Sequence, residues 1–204
     1  MKSSLKLKDA DMRDILFSHY EDSASILRIF EELCIGKTRT DALMVTENEL
    51  IGIEFKSDKD TLDRLARQVK DYNRFCDKNY LVIGQHFVEK QDSLSEILPD
   101  FWGIYSVTMN DNGEKSLTLL REANKNPKCR IKNQLKILWR AELIRLVRSN
   151  KLGGVTAYKK KELGDKLYKN IEKDTLREMI CNELLERDYS IYEEKWGEAL
   201  LIWT

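Results

Sequence analysis

The chain has 204 residues, enough for one sizeable core plus an appendage, and 42% of them are hydrophobic, a globular proportion. The formal net charge at pH 7 is zero, with 35 basic and 35 acidic residues, so no field of one sign surrounds the whole molecule. No apolar run approaches the ~20 residues of a membrane span, and the polar start Met1-Lys2-Ser3-Ser4 excludes a signal peptide.

Residues 8–17 read as a short first helix. Ser23 can cap a second, running to about Cys34, with Ile26, Ile29, Phe30 and Leu33 as its inward stripe and Gly36 as its stop. Two short apolar runs follow, residues 42–45 and 50–53, joined by the polar Thr46-Glu47-Asn48-Glu49, which is a hairpin signal. If the chain reverses between Glu47 and Asn48, opposed residues have numbers that sum to 95, and Asp41 faces Glu54. Lys56 then shares a face with Glu54, while Ile51, Ile53 and Phe55 take the other face.

Beyond Lys56, Asp58 or Asp60 is a suitable N-cap for a helix whose apolar stripe is Leu62, Leu65, Val69, Tyr72 and Cys76. Arg64, Gln68 and Tyr72 succeed one another at four-residue steps along one face of that helix. The continuous apolar run 80–84 fits a strand buried on both faces. One or two helical turns are expected over 93–98, ahead of Pro99. Residues 103–108 and 116–120 then flank Asn110-Asp111-Asn112-Gly113, a strong hairpin turn.

From Arg121 to Lys173 there are 16 Lys or Arg against 5 Asp or Glu, a balance of +11 that leaves −11 for the remainder. Within this block, residues 131–148 read as one long amphipathic helix whose Lys132, Lys136 and Arg140 form a basic ridge. Lys159, Lys160 and Lys161 enlarge it into a phosphate-tracking surface. Such a ridge is otherwise an ordinary solvated face. Gly153-Gly154 marks a hinge or linker, two short helices follow, and Trp196 and Trp203 are packing anchors rather than stacking platforms.

The chemistry centres on Asp41, Glu54 and Lys56. Opposed residues lie about 5 Å apart at Cβ, and two carboxylates at that distance repel unless something positive lies between them. Such a pair suits a hard divalent cation that also holds waters and a phosphate oxygen. Phosphodiester hydrolysis needs a metal of this kind, and it gains from a cation such as Lys56 aimed at the charge of the transition state. Alone, Asp41 with Glu54-Phe55-Lys56 reads as a strand end and an exposed charge pair, and Tyr72 alone reads as core.

Together, Arg39-Thr40-Asp41, Gly52-Ile53-Glu54-Phe55-Lys56-Ser57-Asp58 and Gln68-x-x-x-Tyr72 resemble the PD-(D/E)xK nuclease superfamily. More narrowly, they resemble a bacterial and phage family within it, over roughly residues 25–90, with a looser match through 119–123. Thr40 stands where the motif has proline. The resemblance implies a restriction-endonuclease-like mixed β-sheet flanked by helices, an α/β fold, with a nuclease-like core over 1–123 and a basic helical region over 124–204. It implies Asp41 and Glu54 as ligands of Mg²⁺ or Mn²⁺, joined by the Phe55 main-chain carbonyl and by a glutamate of the first core helix, Glu31 or failing that Glu32. Lys56 is the catalytic cation, Gln68 and Tyr72 support it, and Arg39 and Arg64 lie where DNA would pass.

The expected function is metal-dependent hydrolysis of DNA. The alternative is a non-cleaving nucleic-acid-binding or regulatory protein on the same fold. Endonuclease and exonuclease, and single- and double-stranded substrates, stay equally open, as does pairing with a second copy or a partner protein. Cys34, Cys76, Cys129 and Cys181 are widely spaced and only two histidines occur, which disfavours a zinc site or a disulfide framework and fits a reduced, cytoplasmic setting.

Overall fold

The computed structural model describes residues 7–21, 26–89, 94–155 and 158–189. Helix α1 (Asp9–Glu21) leads into strands β1 (Arg28–Glu31), β2 (Cys34–Ile35), β3 (Thr38–Arg39), β4 (Ala42–Val45) and β5 (Leu50–Lys56). Helix α2 (Leu65–Phe75), strand β6 (Lys78–Gly84), the single turn α3 (Gln85–Val88), and strands β7 (Gly103–Met109) and β8 (Lys115–Arg121) follow. The remaining elements are helical: α4 (Ile131–Gln134), α5 (Arg140–Ser149), α6 (Lys160–Asn170) and α7 (Lys173–Leu185).

The main sheet has six strands in the order β1-β4-β5-β6-β7-β8. It is mixed: β5 pairs parallel with β6 and β6 with β7, and the other neighbours are antiparallel. Parallel neighbours need a crossover, and α2 supplies it between β5 and β6. Helix α1 covers one face, where Met12 and Leu16 pack among Ile51, Ile53, Phe55, Val82 and Val107. Helix α2 covers the other, where Val69, Tyr72 and Phe75 pack on Leu43, Leu81 and Ile83. Leu143, Leu163, Leu176 and Ile180 of the last helices lie in that same apolar cluster. This is the expected mixed α/β sheet flanked by helices, with further helices at its C-terminal end.

The hairpin forms in the expected register, with Ala42 opposite Ile53 and Val45 opposite Leu50. The hairpin around Asn110–Gly113 also forms, and the Asn110 carboxamide oxygen accepts the N–H groups of Asn112 and Glu114. Two expected helices do not. Residues 28–31 of the expected second helix are β1, paired antiparallel with β4, so the core helix before the sheet is α1 alone. Gly36, with φ +63°, turns the small β2–β3 hairpin instead of ending a helix. The stripe Ile29, Phe30 and Leu33 suits either period over so short a run, and pairing with β4 satisfies the backbone as well as burying the side chains.

The expected helix over 131–148 is interrupted between Gln134 and Arg140. Buried Glu142 is the cause: its carboxylate accepts the Trp139 N–H at 2.6 Å and holds Arg187, which in turn donates to the Ile137 carbonyl at 3.1 Å. These contacts satisfy backbone groups that a continuous helix would have paired internally. Lys132 and Arg140 therefore do not share a helix face. Gly153 and Gly154 both have positive φ in the connection to α6, a conformation that glycine takes without strain. Trp196 and Trp203 lie outside the described residues.

Candidate metal and phosphodiester site

Strand register builds the site. Continuing the β4–β5 ladder one step past Ala42 and Ile53 sets Asp41 against Glu54 at the open end of the hairpin. The Asp41 carboxylate accepts the Phe55 N–H at 2.8 Å. Because the N–H and C=O of one strand residue leave on the same side, the Phe55 carbonyl also points toward the Asp41 edge. Glu54 is wholly buried, and Lys56 on the same face is 5% exposed, so this is no solvated surface pair.

The Lys56 ammonium donates to Glu54 Oε1 at 2.6 Å and to the Gln68 side-chain oxygen at 3.3 Å. The Gln68 amide N–H group closes the triangle by donating to the same Glu54 oxygen. Glu54 Oε2, the other oxygen, is buried and has no hydrogen-bond partner. Burial, and then the charge of Asp41, raise the Glu54 carboxyl to about 7 against the pull of Lys56. Burial also raises Asp41, opposed by the Phe55 N–H and the cations Lys56 and Arg13. Two carboxylates held above their usual range, one with an orphaned oxygen, form an environment that a divalent cation would stabilise.

Tyr72 is both core and site. Its ring lies buried against Trp102, with centroids 5.7 Å apart, while its hydroxyl accepts the Asp41 N–H at 3.0 Å and donates to the Ile53 carbonyl at 2.8 Å. It thereby fixes β4 to β5 immediately beside the two carboxylates. Gly52 makes this possible, since a Cβ there would lie 2.5 Å from the Tyr72 ring. Neither Asp58 nor Asp60 caps α2. Asp60 closes the turn after Lys56 by accepting from the Ser57 N–H at 2.8 Å, and Asp58 accepts the His86 N–H at 2.9 Å. Helix α2 begins later, with Arg64 at its N-cap.

Thr40, in the place of the motif's proline, is buried, and both its N–H and its hydroxyl donate to the Leu33 carbonyl, at 2.8 and 2.9 Å. Proline could supply neither bond.

The outer residues are placed differently from expectation. Glu31 belongs to a strand and pairs with Arg13 at 3.1 Å, so it is not brought in by a helix. Glu32, with φ +57°, pairs with Arg39 at 2.5 Å. Arg64 is exposed at the start of α2. Among the described residues no three acidic, histidine or cysteine side chains converge as a ready-made metal cage. The donors on offer are the two carboxylates and the Phe55 carbonyl, which suits an ion such as Mg²⁺ that retains several waters.

Arg13 of α1 was not singled out by its sequence. It donates to the Asp41 carbonyl at 2.8 Å, pairs with Asp9 at 2.5 Å and lies 4.9 Å over the Phe55 ring. The Asp9–Arg13 spacing of one helical turn was visible, but it is the spacing of any surface pair.

With this geometry in hand, comparison with known proteins places the chain. Residues 7–199 match the bacteriophage P4 protein cII family. The chain belongs to that family. No curated protein matches it. Among solved structures it is similar to Pyrococcus furiosus SfsA in complex with Ca²⁺, at 14% identity and a TM-score of 0.36, over 56% of this chain. The match spans 63% of the SfsA chain, and a likeness of that size carries nothing further here.

Proposed function

We propose that this cII-family protein is a metal-dependent nuclease that hydrolyses DNA phosphodiester bonds at the Asp41–Glu54–Lys56 site. The observation that carries the reading is Glu54: a fully buried carboxylate with one oxygen on Lys56 and the other without a partner. Buried carboxylate oxygens are mostly hydrogen-bonded, so the unpartnered Oε2 next to Asp41 is open to a cation. Asp41, Glu54 and the Phe55 carbonyl would hold Mg²⁺ or Mn²⁺, which when bound supplies a Lewis acid and an activated water.

The chain's own residues do the rest. Lys56, held by Gln68, presents a fixed cation where phosphorane charge develops. Its ammonium can also orient the attacking water. Gln68 keeps Lys56 and Glu54 in register with each other, and Tyr72 keeps Asp41 at its distance from Glu54. Arg39 and Arg64 are exposed cations on the β3 and α2 approaches to the site, suited to backbone phosphates.

The test is cleavage of linear, circular and single-stranded DNA with Mg²⁺ or Mn²⁺, wild type beside Lys56→Ala. Loss of one preorganised charge-stabilising group typically lowers turnover by about 10²–10³, and that loss is expected here with the fold and DNA binding retained. Equal activity of the variant would refute the assignment. Absence of cutting by either protein, with salt-sensitive DNA binding by both, would favour the non-cleaving reading.

A further inference from the structure

A second charged site lies at the opposite end of β5. Glu54 and Lys56 stand near the C-terminal end of that strand, and Leu50 begins it. The Leu50 N–H donates to buried Asp77, whose carboxylate also holds Gln134 and, at 3.1 Å, Arg177. Arg177 opens onto a cleft of about 830 Å³ between α4, α6 and α7. At ~3.3 Å per strand residue, Leu50 and Glu54 are themselves about 13 Å apart. The cleft is therefore separate from the carboxylate site.

Seven cations line it: Arg130, Lys132 and Lys136 from the α4 segment, Lys160 and Lys161 from α6, and Lys173 and Arg177 from α7. The single carboxylate in the lining is Asp165, 3.4 Å from the Lys132 ammonium. Arg177 has Asp77 and Asp174. Among the described residues, the other five have no carboxylate at ion-pair distance.

Four of those five are positioned by neutral acceptors instead. Lys160 donates to the Lys136 carbonyl at 2.8 Å, Lys136 to the Asn133 side chain at 2.7 Å, Lys173 to the Tyr168 carbonyl at 2.5 Å, and Arg130 to the Cys129 carbonyl at 2.9 Å. Such contacts orient a cation and leave its charge uncompensated. Burial lowers the Lys160 ammonium from its usual value, against the pull of Glu142. Between the cations lie Ile131, Leu135 and the Tyr168 ring, whose centroid is 4.8 Å from the Lys132 ammonium and 4.1 Å from that of Lys173.

We infer that this cleft binds a compact phosphorylated small molecule of the nucleoside-triphosphate class. Its volume falls in the range of small-molecule sites, about 300–1,000 Å³. A compact space of that volume is roughly 9–12 Å across, the scale of one small ligand rather than of an extended strand. Cations arriving from three elements enclose one ligand, whereas tracking a backbone needs an extended ridge. The interruption before Arg140 removes that ridge. Several phosphates match the clustered lysines as point charges, and the Ile131–Leu135–Tyr168 surface takes the nucleoside.

The experiment is calorimetric titration of the full-length protein with ATP in EDTA, so that no divalent ion reaches Asp41 and Glu54 and the outcome is independent of the nuclease reading. Saturable binding is expected, weakened at least tenfold in Lys132→Ala/Lys161→Ala, whose side chains are at the exposed rim and not in the core. Lys161→Glu alone, at an exposed position, should weaken it in the same direction. No saturable binding up to millimolar ATP, or binding undiminished in both variants, would overturn the inference. So would a single-stranded oligonucleotide that binds in place of ATP and is lost in the same variants, which would make the cleft a nucleic-acid groove.

Discussion

The two ends of β5 gather charged groups by opposite means. At the Glu54–Lys56 end, adjacent strands in fixed register bring two carboxylates together, and the side chains that touch them come from residues 13–72. At the Leu50 end, cations from three helices separated by as many as 47 positions, from Arg130 to Arg177, converge behind Asp77. A sheet edge concentrates charge through local pairing. A helical cleft does so only through packing. The first arrangement can be read from sequence spacing, and the second cannot.

The largest expected effect tests what holds the helical end together. Glu142 and Arg187 are a fully buried ion pair with contacts of 2.7 and 2.8 Å, and Glu142 also accepts the Trp139 N–H. Removing one partner of a buried pair costs about 3–5 kcal/mol, because the other charge is left uncompensated. Glu142→Ala should therefore lower the denaturant midpoint sharply, and with it ATP binding at the cleft. The double replacement of Glu142 and Arg187 by apolar residues should recover much of that loss. An unchanged midpoint in the single variant would mean that the interruption between α4 and α5 has another cause.

The carboxylate end is sharpened by pH. Glu54 holds its proton to about 7, above the ordinary 4.5, chiefly because it is buried and secondly because Asp41 is charged. A raised folded-state value means that the native protein binds the proton more tightly than the unfolded chain. This contribution is complete below about 4.5 and is lost as pH rises toward 7. The difference corresponds to at most on the order of 3 kcal/mol. In EDTA, the melting temperature of wild type should fall over that window relative to Glu54→Gln, which has no such proton to lose. On the proposed function Mg²⁺ would compete with the same proton, and metal affinity should rise over the same window. Parallel pH profiles of the two proteins would remove the basis for a strained, metal-seeking Glu54.

How much of each end the sequence disclosed follows from the range of the interactions. The β4–β5 register was legible because a short polar turn between two apolar runs leaves few ways to pair, and that register alone sets Asp41 against Glu54. Gln68 and Tyr72 were legible as helix neighbours, though Tyr72's hydrogen bond to Asp41 required knowing where α2 lands. β1 reads as helix in the sequence because four residues with an apolar stripe fit both periods, and the partner strand β4 decides between them. The helix break at Trp139 depends on Arg187, about fifty positions later, and no local pattern announces it. Arg13 carries no local signal for the same reason: its role depends on α1 lying over Phe55.

The smallest effect separates motif from fold at the carboxylate end itself. Thr40→Pro restores the proline of the resembled motif but deletes both bonds to the Leu33 carbonyl, leaving that acceptor without them in a buried setting. Such a loss costs about 1–3 kcal/mol, read as a lower midpoint of unfolding. The proline ring's fixed φ is compatible with the extended backbone that precedes a strand, and Asp41 would still be held by its own N–H to Tyr72 and by the Phe55 N–H. Cleavage at permissive temperature should therefore stay within a few-fold of wild type. A loss of cleavage as large as that of Lys56→Ala, in a variant still folded, would show that residue 40 sets the position of Asp41 directly and that the β2–β3 hairpin belongs to the site.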